Sequence, residues 1–166
     1  MKKNIIGAAL LSLSGLLACN AANAQRLADD KVPAVVKAAF TKQFPKAEHA
    51  KWEMESRTEY EVNFKQGGAD RSATYGTDGT WLETEQAIKA DALPEPVRKA
   101  IAAGYADHKV KGIDVAESPK GTVYEVDMEK GEQSLEVVFA ADGKVLESKM
   151  EEHKRDADDE KGEEKD

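Results

Sequence analysis

The sequence predicts an α+β fold made of two tandem units, each a helix followed by a four-stranded antiparallel sheet. Three observations predict it. The stretch "TYGTDGTWLE" at 74–83 has a near twin, "VFAADGKVLE", at 138–147. Each copy is preceded by a segment with apolar residues at four-residue spacing, the mark of one helical face. After each such segment the apolar residues alternate, the mark of strands with one buried face.

The first unit, 32–86, opens with "VPAVVKAAFTKQFP", where Val36, Phe40 and Phe44 fall along one side of a helix. The second, 87–150, answers with Val97, Ile101 and Tyr105 in "LPEPVRKAIAAGYA". Pro33 and Pro94 suit a first helical turn, with Asp30 and Asp91 upstream as candidate caps. Pro45 ends the first helix, and Gly104 with the polar "DHK" weakens the second at the same point. The strands of the first unit read "KWEME" (51–55), "TEYEVNFK" (58–65), "RSATY" (71–75) and "TWLETE" (80–85). Trp52, Met54, Tyr60, Val62 and Phe64 share the helix-facing side. In the second unit Ile113, Val115, Tyr124, Val126 and Met128 do the same, followed by "LEVVF" (135–139) and "KVLESK" (144–149). Gly67-Gly68, Lys130-Gly131 and the two Asp-Gly pairs supply the turns.

The ends of the chain read differently. Residues 1–24 carry Lys2 and Lys3, an apolar run from Ile5 to Ala18, and "ANA" before Gln25, the pattern of a secretory signal peptide too short to span a membrane. "LLAC" offers a second outcome, in which Cys19 is lipidated and anchors the protein to a membrane surface. With cleavage after Ala24 the 142-residue remainder has no cysteine, so no disulfide or thiolate site exists, and loss of the two lysines moves the formal charge from −8 to −10. Residues 25–31 form a polar lead-in. Residues 151–166, "EEHKRDADDEKGEEKD", hold nine acidic and four basic side chains and predict a disordered acidic tail. Nucleic acid is excluded as a partner by the acidic balance.

Each helix covers one face of its sheet, which leaves the other open. Alternation places Glu53, Glu59, Glu61, Asn63, Ser72 and Thr74 on that open face in the first unit. In the second it places Asp114, Glu125, Asp127, Glu129 and Glu136 there. Like charges on neighbouring strands destabilise a sheet, a cost that a basic partner or a cation would relieve; an ordinary solvated face is the plainer reading. Trp81 follows a turn on the side shared with Glu83, so it reads either as a binding anchor or as packing between the units. The expected binding residues are therefore Trp81, Glu53, Glu61, Asp114, Glu125, Asp127 and Glu136.

Taken together, the signal peptide, the two units, "YEVNF" (60–64) matched by "YEVDM" (124–128), and "TDGTWLE" matched by "ADGKVLE" resemble the PepSY-like, beta-lactamase-inhibitor-like family over about residues 32–149. The resemblance implies a tandem arrangement joined into one curved sheet with the helices outside, as in the beta-lactamase inhibitor protein. It also implies binding or inhibition of other exported proteins. Its motifs are structural, and no inhibitor contact residue transfers to a position here.

Catalysis finds no support in the residues. His49, His108 and His153 occupy non-equivalent positions, read as solvent-facing loop histidines, and form no two-histidine metal spacing. Asp78-Gly79 and Asp142-Gly143 lack the ligand series of a calcium loop and read as hairpin turns. No metal or cofactor is expected. The reading is thus an exported, periplasmic or secreted, non-enzymatic binding module whose partner is another envelope protein. The alternative is a scavenger of cations or small basic ligands on the acidic face. Intact mass of the exported protein checks the address: a chain beginning at Gln25 is expected, a lipid-modified Cys19 would place it on a membrane, and an uncleaved Met1 would refute both.

Overall fold

The computed structural model describes residues 25–152, which form one nine-stranded antiparallel sheet and two helices. Strand order follows chain order throughout, from β1 (Gln25–Leu27) through β2 (Glu48–Ser56), β3 (Glu59–Gln66), β4 (Ala69–Gly76) and β5 (Trp81–Ala87). It continues through β6 (Lys109–Ser118), β7 (Gly121–Lys130), β8 (Gln133–Ala140) and β9 (Val145–Glu152). Helix α1 (Ala34–Gln43) precedes β2, and α2 (Glu95–Gly104) precedes β6. Residues 1–24, on which the signal-peptide and Cys19 lipidation expectations fall, and residues 153–166 with His153 lie outside the described residues.

Two apolar clusters seat the helices. Around α1, Val36, Phe40 and Phe44 meet Trp52, Tyr60, Val62, Phe64, Ala73 and Tyr75. Phe40 stands edge-on to Trp52 and Phe64, with centroids 5.4 and 5.1 Å away, the geometry aromatic quadrupoles prefer. Around α2, Val97, with Ile101 and Tyr105 partly buried, meets Ile113, Val126, Met128, Leu135, Val137 and Phe139. Both clusters lie on the same side of the sheet. The register carries this through the central ladder, where Thr84, Glu85, Gln86 and Ala87 pair with Glu117, Ala116, Val115 and Asp114.

Several expectations change. The lead-in is partly a strand: β1 pairs with β2, and Leu27 packs on the first cluster, so one apolar side chain suffices to hold the edge. The acidic tail begins later than residue 151, because Glu151 and Glu152 pair with Ser134 and Gln133 through their backbones. Asp30 and Asp91 do not cap helices. They sit in short 3-10 turns (Asp29–Lys31 and Ala90–Ala92), and Pro33 and Pro94 occupy the N-cap positions without any side-chain cap. His108 is largely buried beside Tyr105, 2.8 Å from Asp107, instead of facing solvent. His49 is exposed at a register shift of β2, with φ 57°.

The two Asp-Gly turns share one geometry. Asp78 Oδ1 accepts from the Thr80 amide at 2.9 Å and Asp142 Oδ1 from the Lys144 amide at 3.0 Å. That hydrogen bond holds the exposed Asp78 carboxyl below its usual range. Gly79 and Gly143 follow at φ 83° and 86°, completing three-residue loops with an adjoining bulge. Each glycine is pressed against the first turn of a helix. A Cβ at Gly79 would lie 2.9 Å from the Val35 carbonyl oxygen, and one at Gly143 only 2.6 Å from that of Pro96. Gly143→Ala should therefore cost at least about 2 kcal/mol, adding backbone strain to a clash with backbone. Gly131→Ala, with φ 61° but nothing within 4 Å, should cost about 1 kcal/mol. Thermal melts of the two variants check the difference; equal losses would show that the turn does not bear on α2.

Candidate functional site

The side of the sheet away from the helices is continuous across the halves, and the register lays its residues out in rows. Glu53, Glu61, Thr74 and Glu83 form one row across β2–β5. Asn63, Ser72, Glu85, Ala116, Val123 and Ala140 form the next, across β3–β8. Asp114, Glu125, Val138 and Glu147 form a third, and Gly112, Asp127, Glu136 and Lys149 a fourth. All six expected acidic residues stand on this face.

Trp81 does not. The bulge after Thr74 inserts Leu82 as an extra residue, so Thr74 pairs with Glu83 while Tyr75 pairs with Trp81. Alternation breaks there, and Trp81 turns to the helix side, packs on the first cluster and donates its Nε1–H to Thr84 Oγ1 at 2.9 Å. It is a satisfied structural residue, and neither an exposed anchor nor packing between the halves.

The residues that converge most closely are Glu83, Glu85 and Glu125, each with a carboxylate oxygen within 4.8 Å of the others. Glu83 and Glu85 lie two apart on β5 and so point the same way. Glu125 reaches them from β7, across β6, where it stands opposite Asp114 and diagonal to Ala116, the small partner of Glu85. Glu125 is only 7% exposed, beside the buried Val138 and Ala116, and its Oε1 has no hydrogen-bond partner among the described residues. Ser72 Oγ donates to Glu85 Oε2 at 3.4 Å. No ion pair reaches the trio among the described residues. A cleft of about 270 Å³ opens beside Glu85, lined also by His49, Lys51, Lys65, Arg71 and Asp114.

Burial governs the protonation of this face. It raises the Glu85 carboxyl to about 9, helped by a hydrogen bond to Glu83 and by the charge of Glu125. It raises Glu125 to about 8, with Glu83 and Glu136 next in effect. Glu61 rises to about 6 for the same reason, with Glu55 and Glu53 adding to it. Glu83 and Asp114 also move up through burial. At neutral pH Glu85 thus keeps its proton and donates it to Glu83.

Glu83 and Glu85 are the site residues that sequence reasoning missed. Alternation along "TWLETE" does put both on one side. Their meeting with Glu125 depends on the β5–β6 ladder, which no local pattern announces.

A family model described as "Putative beta-lactamase-inhibitor-like, PepSY-like" matches residues 20–71 and 58–147, most of the chain. The chain belongs to the PepSY-like family. The two matched spans of this PepSY-like chain overlap at 58–71. A crystal structure of a DUF2874 family protein from Bacteroides uniformis ATCC 8492 is 22% identical, covers 71% of this chain and 88% of its own, and superposes with a TM-score of 0.67. A BLIP-like protein from Bacteroides fragilis NCTC 9343 is 23% identical, covers 75% and 89%, and gives 0.66. A protein from Bacteroides eggerthii DSM 20697, described as "putative periplasmic", is 22% identical over 72% and 88%, with 0.67. At these identities the likeness is one of fold. No curated protein matches the chain. Among the described residues no helix is long and apolar enough to cross a membrane.

The raised carboxyls make stability depend on pH with a definite sign. Their folded values exceed the unfolded value near 4.5, so between there and about 9 the folded state holds more protons than the unfolded state. Stability is therefore full at the acidic end and is lost as pH rises through that window. The melting temperature should fall by about 3 °C or more from about pH 5 to about pH 8.5, and Glu85→Gln should flatten the slope. A flat wild-type profile would show that the trio is solvated.

Proposed function

We propose that the chain is an exported, non-enzymatic binding module that works through the open face of its sheet, where a basic group of another exported protein seats on the carboxylates. The observation that carries this is the convergence of Glu83, Glu85 and Glu125 at the centre of the one face the helices leave uncovered. Two carboxyls there are held neutral by burial, so an approaching cation gains by displacing their protons and restoring charge where it has a partner. The surrounding Glu53, Glu61, Asp114, Asp127 and Glu136 supply a field of one sign that steers a basic partner. The family description, inhibitor-like, favours binding over catalysis. The signal-peptide pattern of residues 1–24 and the likeness to the eggerthii protein support a periplasmic or secreted address.

Scavenging of cations or small basic ligands is the second reading, and the same trio favours it. We also propose that the chain is a tandem duplication. The paired glycine contacts with α1 and α2, and the matching bulges at Tyr75/Trp81 and Phe139/Val145, support this.

Affinity capture from an envelope extract tests the partner reading. A partner held at about 50 mM salt should be largely released at about 500 mM, where the screening length is far shorter than the face. Glu61→Lys with Glu136→Lys should weaken capture at least tenfold, about 1.4 kcal/mol, with an unchanged melt. Equal capture by the variant and wild type would place the binding surface elsewhere.

A further inference from the structure

We propose that Glu83, Glu85 and Glu125 form a binding site for one hard divalent cation, calcium in preference to magnesium or zinc. The inference rests on the reading of the open face as the working surface and names what its centre holds.

Three observations converge on it. The three carboxylates each offer an oxygen within 4.8 Å of the other two. Three oxygens mutually within 4.8 Å share a point no more than about 2.8 Å from each, so small movements bring all three to the roughly 2.3–2.6 Å of calcium's flexible shell, whereas magnesium demands about 2.0–2.1 Å and a stricter octahedron. The second observation is Glu125 itself. A carboxyl group 93% buried, with Oε1 unpartnered, lacks the partner that burial calls for, and among the described residues no Lys, Arg or His forms an ion pair with any of the trio. The third is Ala116. It is the β6 partner of Glu85 and the diagonal neighbour of Glu125, and its methyl, 2% exposed, adds little bulk between the two carboxylates.

The donor chemistry then selects the class of ion. The site offers oxygen alone, with no imidazole or thiolate, which disfavours zinc and copper and suits the hard cations. Three carboxylates fill fewer than the six to eight positions calcium takes, so Ser72 Oγ, already 3.4 Å from Glu85 Oε2, and water complete the shell. Because the ligands come from β5 and β7 on either side of β6, the bound ion would tie the two halves of the sheet across their central ladder.

Calorimetry on the full chain in metal-free buffer, with calcium, magnesium and zinc chlorides as separate titrants, tests this. One calcium ion should bind saturably below about 1 mM, at least about tenfold more tightly than magnesium, and should raise the melting temperature by several degrees. Glu85→Gln and Glu125→Gln should each weaken calcium binding at least about tenfold. These changes put neutral side chains of the same size in place of buried acids, so the proteins should fold and melt at or above the wild-type temperature. Ala116→Val leaves every carboxylate in place but adds bulk beside Glu85 and Glu125, and should lose calcium as well. Replacing Asp156, Asp158 and Asp159 by Asn should leave binding intact. Absence of saturable calcium binding overturns the proposal. So does binding that survives both Gln variants, binding that vanishes with the three Asn changes, or a preference for zinc. Failure here with salt-sensitive capture retained refutes the ion site alone, whereas loss of capture with calcium binding retained refutes the partner reading.

Discussion

Two ten-residue helices packed on one side of a nine-stranded sheet are the constraint on which the rest of this structure depends. Each is held by an aromatic or aliphatic stripe, Val36-Phe40-Phe44 or Val97-Ile101-Tyr105, set against alternate residues of the strands that follow. Because the central β5–β6 ladder keeps the register, the buried sides of both halves coincide. Among the described residues no element covers the opposite face, and its composition is free of the demand for a core.

That freedom has a cost. Acids accumulate on one surface, and where Ala116 and Val138 lower the local dielectric, the carboxylates can no longer be solvated well. Glu85 and Glu125 respond by keeping protons. A sheet designed only for stability would place threonine or alternating charge there. Three converging carboxylates stand there instead, a local inconsistency between sequence and sheet.

The Asp-Gly turns show how one local device serves both fold and face. Glycine permits the positive φ, removes the Cβ that would strike the helix, and brings the bulge that rotates Trp81 and Val145 onto the helix side. Without the bulge Trp81 would stand on the open face and the first core would lose an indole. With it, Glu83 keeps its place opposite Thr74, so the turn sets both the packing of the core and the position of one carboxylate of the site.

Much of this was legible in the chain itself. Alternation and helical spacing are local properties, so the helices, the strands, their buried sides and the acidic character of the open face could be read from residues two or four apart, as with Tyr60-Val62-Phe64 and Glu125-Asp127. The family resemblance was legible for the same reason, since its motifs are turns and strand starts. Leu27 in a pairing strand, the reversal of Trp81 and the meeting of Glu83, Glu85 and Glu125 were not. Each depends on which residue lies opposite which across a ladder: Met54 beside Gln25, Tyr75 beside Trp81, Ala116 beside Glu85. A single bulge shifts such pairings by one residue and sends a side chain to the other face, an outcome decided only when the strands pack.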